Sequence, residues 1–174
     1  VWQTDGTEAG TRKEISFSSA GLFVEDLLFV PDAVGGSTMY ITVLDSFRNE
    51  TRLMRYNLVT DTGTVLRSHT TIKLEAGYGG RLLYTASDTE YGNELWYSDG
   101  NPASTAIWMD INPGPAGSEP SGFYVDGTQV LFSAFAPDSG RELWRIDSHS
   151  ELPGLIDIAP GPADSRPSAV AFAA

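Results

Sequence analysis

The chain contains no cysteine, which excludes disulfides, thiolate nucleophiles and cysteine-ligated zinc together. Lysine is almost missing, at Lys13 and Lys73 only, and 23 acidic against 11 basic side chains leave a formal net charge of −12. A surface of that sign repels nucleic acid and anionic membrane, so neither is expected as a partner. No apolar run approaches the roughly 20 residues of a membrane span, so no membrane insertion is expected. Histidine occurs twice, at His69 and His149, each in a Ser/Thr-rich polar stretch. No G-x-S-x-G elbow, phosphate loop or H-E-x-x-H motif is present. The remaining route to catalysis is a glycosidase-like pair of carboxylates, and nothing singles out two acidic residues over the others. No enzyme is expected.

What remains is globular. Hydrophobic content of 41% and aromatic content of 11% over 174 residues suffice for one domain with a substantial core. The acidity reads first as solubility in a salty or extracellular setting, and second as capacity for divalent cations.

A repeat organises the chain. Glu94-Leu95-Trp96-Tyr97-Ser98-Asp99-Gly100 returns 48 residues later as Glu142-Leu143-Trp144-Arg145-Ile146-Asp147-Ser148, with an echo at Val1-Trp2-Gln3-Thr4-Asp5-Gly6-Thr7. Asp110-Ile111-Asn112-Pro113-Gly114 matches Asp157-Ile158-Ala159-Pro160-Gly161 at an interval of 47, and Pro120 and Pro167 keep that step. A motif in register at fixed spacing implies a stack of similar units.

Within a unit the apolar runs are short and bounded by Gly, Pro, Asp or Ser, the signature of strands. The clearest are Ser121–Val125, Gln129–Phe135, Glu142–Ile146 and Leu155–Ile158. The preceding unit offers Thr71–Leu74, Arg81–Ala86, Glu94–Tyr97 and Ala106–Ile111. A degenerate one offers Leu27–Val30, Met39–Leu44, Arg52–Tyr56 and Thr64–Leu66, with Met54 at the tryptophan position. No stretch carries a sustained helical period with caps, so no helix is expected. Apolar residues on both faces of runs such as Gln129–Phe135 suit sheets covered on two sides.

Four antiparallel strands per repeat of 40–50 residues predict an all-β, β-propeller-like array of four-stranded blades, an incomplete ring or part of a longer propeller. The expected units are 1–17 (the last two strands of a blade), 18–70 (the degenerate blade), 71–115, 116–162, and 163–174 (the first strand of the next). Because Val1 stands inside a repeat motif, the chain is expected to be a processed piece or part of a longer protein.

The segments Glu94–Gly100 and Asp110–Gly114 together resemble the ELWxxDGT repeat family, whose longer form reads ELWxxDGTxxGTxxxxDIxPG. Trp2–Thr11 matches the DGTxxGT portion without a gap. The resemblance covers most of the chain from residue 71 onward and the first eleven residues. Residues 20–70 depart from it, lacking the tryptophan, and Asp147-Ser148-His149 lacks the Gly-Thr. It implies a β-propeller-like array in a large secreted or surface protein with an adhesive or scaffolding role, and it implies no catalysis.

Trp2, Leu95, Trp96, Leu143 and Trp144 read as structural anchors, since a Trp recurring on a strand wedges between adjacent sheets. Asp99 precedes Gly100 in a tight turn, and Asp110 and Asp157 stand where their carboxylates can accept backbone N–H bonds in the connection between units. Trp108 does not repeat, so with Tyr91 and Tyr97 it is the first place to look for a ligand surface, glycans being the obvious class. Asp88, Glu90, Asn93 and Glu94 gather four oxygen donors into one loop, which makes calcium the cofactor to consider, although the spacing is not that of an EF-hand. Asn49-Glu50-Thr51 is an N-glycosylation sequon in a polar loop.

The expected function is a non-catalytic structural or interaction module of an extracellular or cell-surface repeat protein, serving scaffolding, adhesion or assembly. Its partners are other protein chains or the remainder of a longer chain. A carbohydrate-binding propeller is the alternative, and a glycosidase a distant third.

Overall fold

The computed structural model describes residues 2–3, 6–13, 21–32, 35–147 and 152–167. It is all-β. A two-residue hairpin, β1 (Trp2–Gln3) with β2 (Arg12–Lys13), precedes three four-stranded sheets. The first contains β3 (Leu22–Pro31), β4 (Ser37–Asp45), β5 (Glu50–Asn57) and β6 (Thr62–His69). The second contains β7 (Thr71–Tyr78), β8 (Arg81–Asp88), β9 (Gly92–Ser98) and β10 (Ala106–Met109). The third contains β11 (Ser121–Val125), β12 (Gln129–Ala136), β13 (Gly140–Asp147) and β14 (Gly154–Ile156). Every sheet is an antiparallel meander in which each strand bonds to the next in sequence.

The turns explain why strands stop where they do. Asp88 Oδ1 accepts the N–H groups of Glu90 (3.0 Å) and Tyr91 (2.8 Å), and Asp126 Oδ1 does the same for Thr128 (2.8 Å) and Gln129 (2.9 Å). An aspartate that bonds the backbone two and three residues ahead reverses the chain. One helical element was not expected. Pro102–Ser104 forms a 3-10 turn, capped by the Asn101 side chain on Ala103 N at 3.1 Å.

Register aligns the sheets. Met54, Trp96 and Trp144 stand opposite Ile41, Tyr84 and Phe132 respectively. Met54 therefore does hold the tryptophan position.

Two cores lie between sheets. Val30, Tyr40, Leu53 and Leu66 of the first sheet pack with Leu74, Leu82, Tyr84 and Trp96 of the second. On the second sheet's opposite face, Leu83, Leu95 and Ile111 pack with Val130, Phe132, Trp144 and Ile146 of the third. The middle sheet is thus covered on both sides, which accounts for its lack of strict apolar–polar alternation. Trp96 is 1% exposed and Trp144 5%. A third cluster, Met39, Ile41, Val43 and Tyr56, occupies the first sheet's other face.

β1 and β2 pair through Trp2 and Lys13. Residues 14–17 of the first expected unit, and 168–174, where the next strand was expected, lie outside the described residues.

Candidate functional site

The feature with most chemistry is built on the glutamate preceding each Leu-Trp pair. β9 and β13 turn Glu94 and Glu142 inward, and both are 0% exposed. A buried carboxylate must find donors, since an unpaired one is strongly unfavourable. Glu94 Oε1 accepts Asn112 N at 3.0 Å, and Oε2 accepts the Ser118 hydroxyl at 2.6 Å. Glu142 Oε2 accepts Ile158 N at 3.0 Å, and Oε1 accepts Ser165 N at 2.8 Å. Each glutamate thus clasps the segment that leaves its own sheet, at both ends of the Pro-Gly-Pro turn.

The backbone is fitted to the same clasp. Gly92 has φ +65° and Gly117 φ +65°; a Cβ on Gly92 would stand 2.5 Å from Gly117 N, and one on Gly117 would stand 2.4 Å from Asn93 N. Only glycine allows that approach. Gly140, with φ +70°, repeats it against Pro162 O at 2.8 Å. Ser118 N and Glu119 N donate to Asn93 O at 3.1 Å, as Ser165 N does to Arg141 O at 3.1 Å.

The two carboxyls are tuned oppositely. Burial, helped by the nearby Asp110 charge, outweighs the bonds from Ser118, Asn112 and Ile111 and holds Glu94 above its ordinary range. Burial acts the same way on Glu142, but the Ser165 hydroxyl and the N–H groups of Ile158, Ser165 and Ala159 outweigh it and hold that carboxyl low.

The first sheet lacks the clasp. Register places Arg52, beside Met54, where the others carry glutamate, and Arg52 pairs instead with Asp45 (2.5 Å) and Glu50 (3.0 Å). The connection it would hold is also gone: β6 and β7 are separated by Thr70 alone, whose N–H bonds Ser87 O at 2.9 Å.

Several expectations are corrected. Asp110 and Asp157 do not bond the connecting backbone; that work falls to Glu94 and Glu142, while Asp110 Oδ1 is buried without a partner and Asp157 is exposed. Asp99 braces the 3-10 turn, accepting Asn101 N (2.9 Å) and the Ser104 hydroxyl (2.5 Å), which with neighbouring bonds hold its carboxyl low. Tyr91, Tyr97 and Trp108 do not form one surface. Tyr91 sits edge-on to Trp96 at 6.0 Å in the first core, whereas Tyr97 and Trp108 meet at 5.4 Å in the second.

Asp88, Glu90, Asn93 and Glu94 do not converge either. Asp88 braces its turn, Asn93 Nδ2 donates to Glu119 Oε2 at 2.7 Å, and Glu94 is the clasp. Among the described residues no group of three or more His, Asp or Glu side chains is placed to hold a metal ion. Asn49 is exposed at a turn, with φ +53°. Leu95 and Leu143 lie at the expected strand positions, Leu95 fully buried. The Trp2 backbone lies in β1.

A second buried polar cluster joins the first two sheets. His69 is 5% exposed, stands edge-on to Trp96 at 4.5 Å, and has no hydrogen-bond partner on either nitrogen. The Arg67 guanidinium lies 4.6 Å over the Trp96 ring and donates to Thr105 O at 3.2 Å. Burial first, and then the Arg67 charge, push His69 down to about 4, against the opposing pull of Asp88, whose Oδ2 is 3.7 Å from Nδ1.

No known protein family, characterised protein or solved structure matches the chain.

The residues that sequence reasoning missed are Ser118 and Ser165. The available signal was the run Pro-Gly-Pro-Ala-x-Ser-x-Pro, which recurs at 113–120 and 160–167.

Proposed function

We propose that the chain is a non-catalytic structural or interaction module of an extracellular or cell-surface repeat protein, in which propeller-like blades form a rigid platform for scaffolding, adhesion or assembly. The observation that carries this reading is the second sheet. It is covered on both faces by sheets of the same design, and its connection to the third is clasped by a buried carboxylate. A unit whose two faces both need a neighbour is the physical basis of a stacked array. The resemblance of Glu94–Gly100 and Asp110–Gly114 to ELWxxDGT repeats supports the same view.

The polar residues fit this role better than catalysis. The two buried glutamates hold backbone, and the described histidine is shut between sheets. A glycan platform has less support, because Tyr97 and Trp108 tilt against each other in the second core.

Sedimentation velocity at micromolar concentration tests the assembly role. Self-association, or capture by flanking repeats supplied as a second polypeptide, is expected. A compact monomer indifferent to added repeats contradicts it.

A further inference from the structure

The three sheets are joined in two different ways. Between the second and third runs the segment 110–120, held by the Glu94 clasp and by the close approach of Gly92 and Gly117. Between the first and second stands Thr70 alone, its N–H bonded to Ser87 O at 2.9 Å. Arg52 occupies the position of the clasping glutamate there.

The residue before that short joint is His69. Register pairs Arg67 with Leu53 and Met109 with Leu95, so His69 and Ile111, two residues further along, share one position. Ile111 gives the second core an apolar side chain. His69 gives the first seam an imidazole, its ring centre 4.5 Å from that of Trp96 and 6.1 Å from that of Tyr84. The residue is 5% exposed, with no hydrogen bond to either nitrogen among the described residues. A neutral ring tolerates this, but an imidazolium would be a buried charge without a bonded acceptor.

The groups around it do not offset that charge. From its own strand the Arg67 guanidinium repels an imidazolium. From β8 the Asp88 carboxylate attracts it at 3.7 Å, but Asp88 Oδ1 is committed to the N–H groups of Glu90 and Tyr91. Tyr84 and, on β9, Trp96 present neutral rings. On β5 Thr51 stands opposite His69, and its hydroxyl donates to Glu25 at 3.4 Å. Burial and Arg67 outweigh Asp88 and push the imidazole down to about 4.

We propose that protonation of His69 opens the seam between the first and second sheets, with Thr70 as the hinge, while the clasped seam between the second and third stays closed. The imidazolium gains water by parting β6 from Trp96. Opening returns the ring to its ordinary value of 6.5. As pH falls from 6.5 to 4, the ratio of open to closed chains therefore rises by up to about 300-fold, ten to the power 6.5 − 4. The clasp resists the same change, because Glu94 is held above its ordinary range and its protonation favours the closed form. This response stands whether or not the chain serves in assembly.

Two indole N–H groups report on the two seams. Trp96 Nε1 is buried in the first, and Trp144 Nε1, bonded to Ala134 O at 3.2 Å, is buried in the second. Their hydrogen exchange, followed by NMR and corrected for the intrinsic rate at each pH, tests the proposal. Protection of Trp96 should fall by up to about 300-fold between pH 7 and pH 4 and recover on return, while that of Trp144 holds. His69→Leu and His69→Gln, neither of which titrates, should both abolish the fall. Constant Trp96 protection, an equal fall at Trp144, or a fall that survives in the variants overturns the proposal.

Discussion

The Ser118 hydroxyl donates to the Glu94 carboxylate at 2.6 Å, with both residues 0% exposed. Across 24 residues of sequence, this bond ties the third strand of one sheet to the entry of the next. Its counterpart, Ser165 N to Glu142 at 2.8 Å, ties the third strand of the third sheet to the segment that leaves it.

Removing a clasp leaves buried donors without acceptors. Glu94→Ala orphans Asn112 N and the Ser118 hydroxyl, and an unsatisfied buried group is unfavourable by about 1–3 kcal/mol. With two such groups, urea unfolding should therefore show a loss of roughly 2–6 kcal/mol. Loss below about 0.5 kcal/mol, the usual size of a surface change, contradicts the clasp.

The two glutamates should respond to pH with opposite slopes. Glu142 is held below its ordinary range, so its contribution is present above the unfolded value, about 4.3, and is lost as pH falls through the folded value. Glu94 is held above, so its protonation linkage favours folding below about 4.3 and fades as pH rises through the folded value. In melts from acid to neutral pH, the deficit of Glu142→Gln should grow with pH and that of Glu94→Gln should shrink. Parallel curves for the two variants would refute opposed tuning.

His69 supplies a second pH dependence. Its folded value of about 4 lies below the unfolded value of about 6.5. Its neutral form therefore supports the fold above about 6.5, and that support is lost as pH drops towards 4. The full difference is on the order of 3 kcal/mol. His69→Gln should flatten the stability profile between these limits. An unchanged slope would show that burial between Trp96 and Tyr84 does not depress this imidazole.

Glycine substitutions separate close approach from backbone angle. Gly114 has φ +100° with nothing near its missing Cβ, whereas Gly117 has φ +65° with Asn93 N at 2.4 Å. Gly114→Ala should lower stability by about 1–3 kcal/mol through strain alone. Gly117→Ala should lower it by more, because backbone must move. Equal thermal shifts would mean that the connection is looser than the clasp requires.

Much of the fold was legible. Gly, Pro and Asp bracket each apolar run, and the local turn chemistry at Asp88 and Asp126 that ends the strands depends on neighbours in sequence. The position of Met54 was legible because one side chain per unit must fill the space opposite β4, β8 or β12. The clasp was not. A glutamate beside Leu-Trp reads as solvated until residues 111–118 fold back over it, and that is tertiary. Tyr91, Tyr97 and Trp108 misled for a related reason: proximity in sequence does not say that Tyr91 faces one core and the others the opposite one.

A double-mutant cycle between Glu94→Gln and Ser118→Ala, read by urea unfolding, addresses the clasp most directly. If the carboxylate and the hydroxyl hold the second and third sheets together, the two changes should couple by about 1 kcal/mol or more. Simple additivity, with each single variant costing what the other leaves untouched, would mean that the 2.6 Å contact does not hold the sheets together.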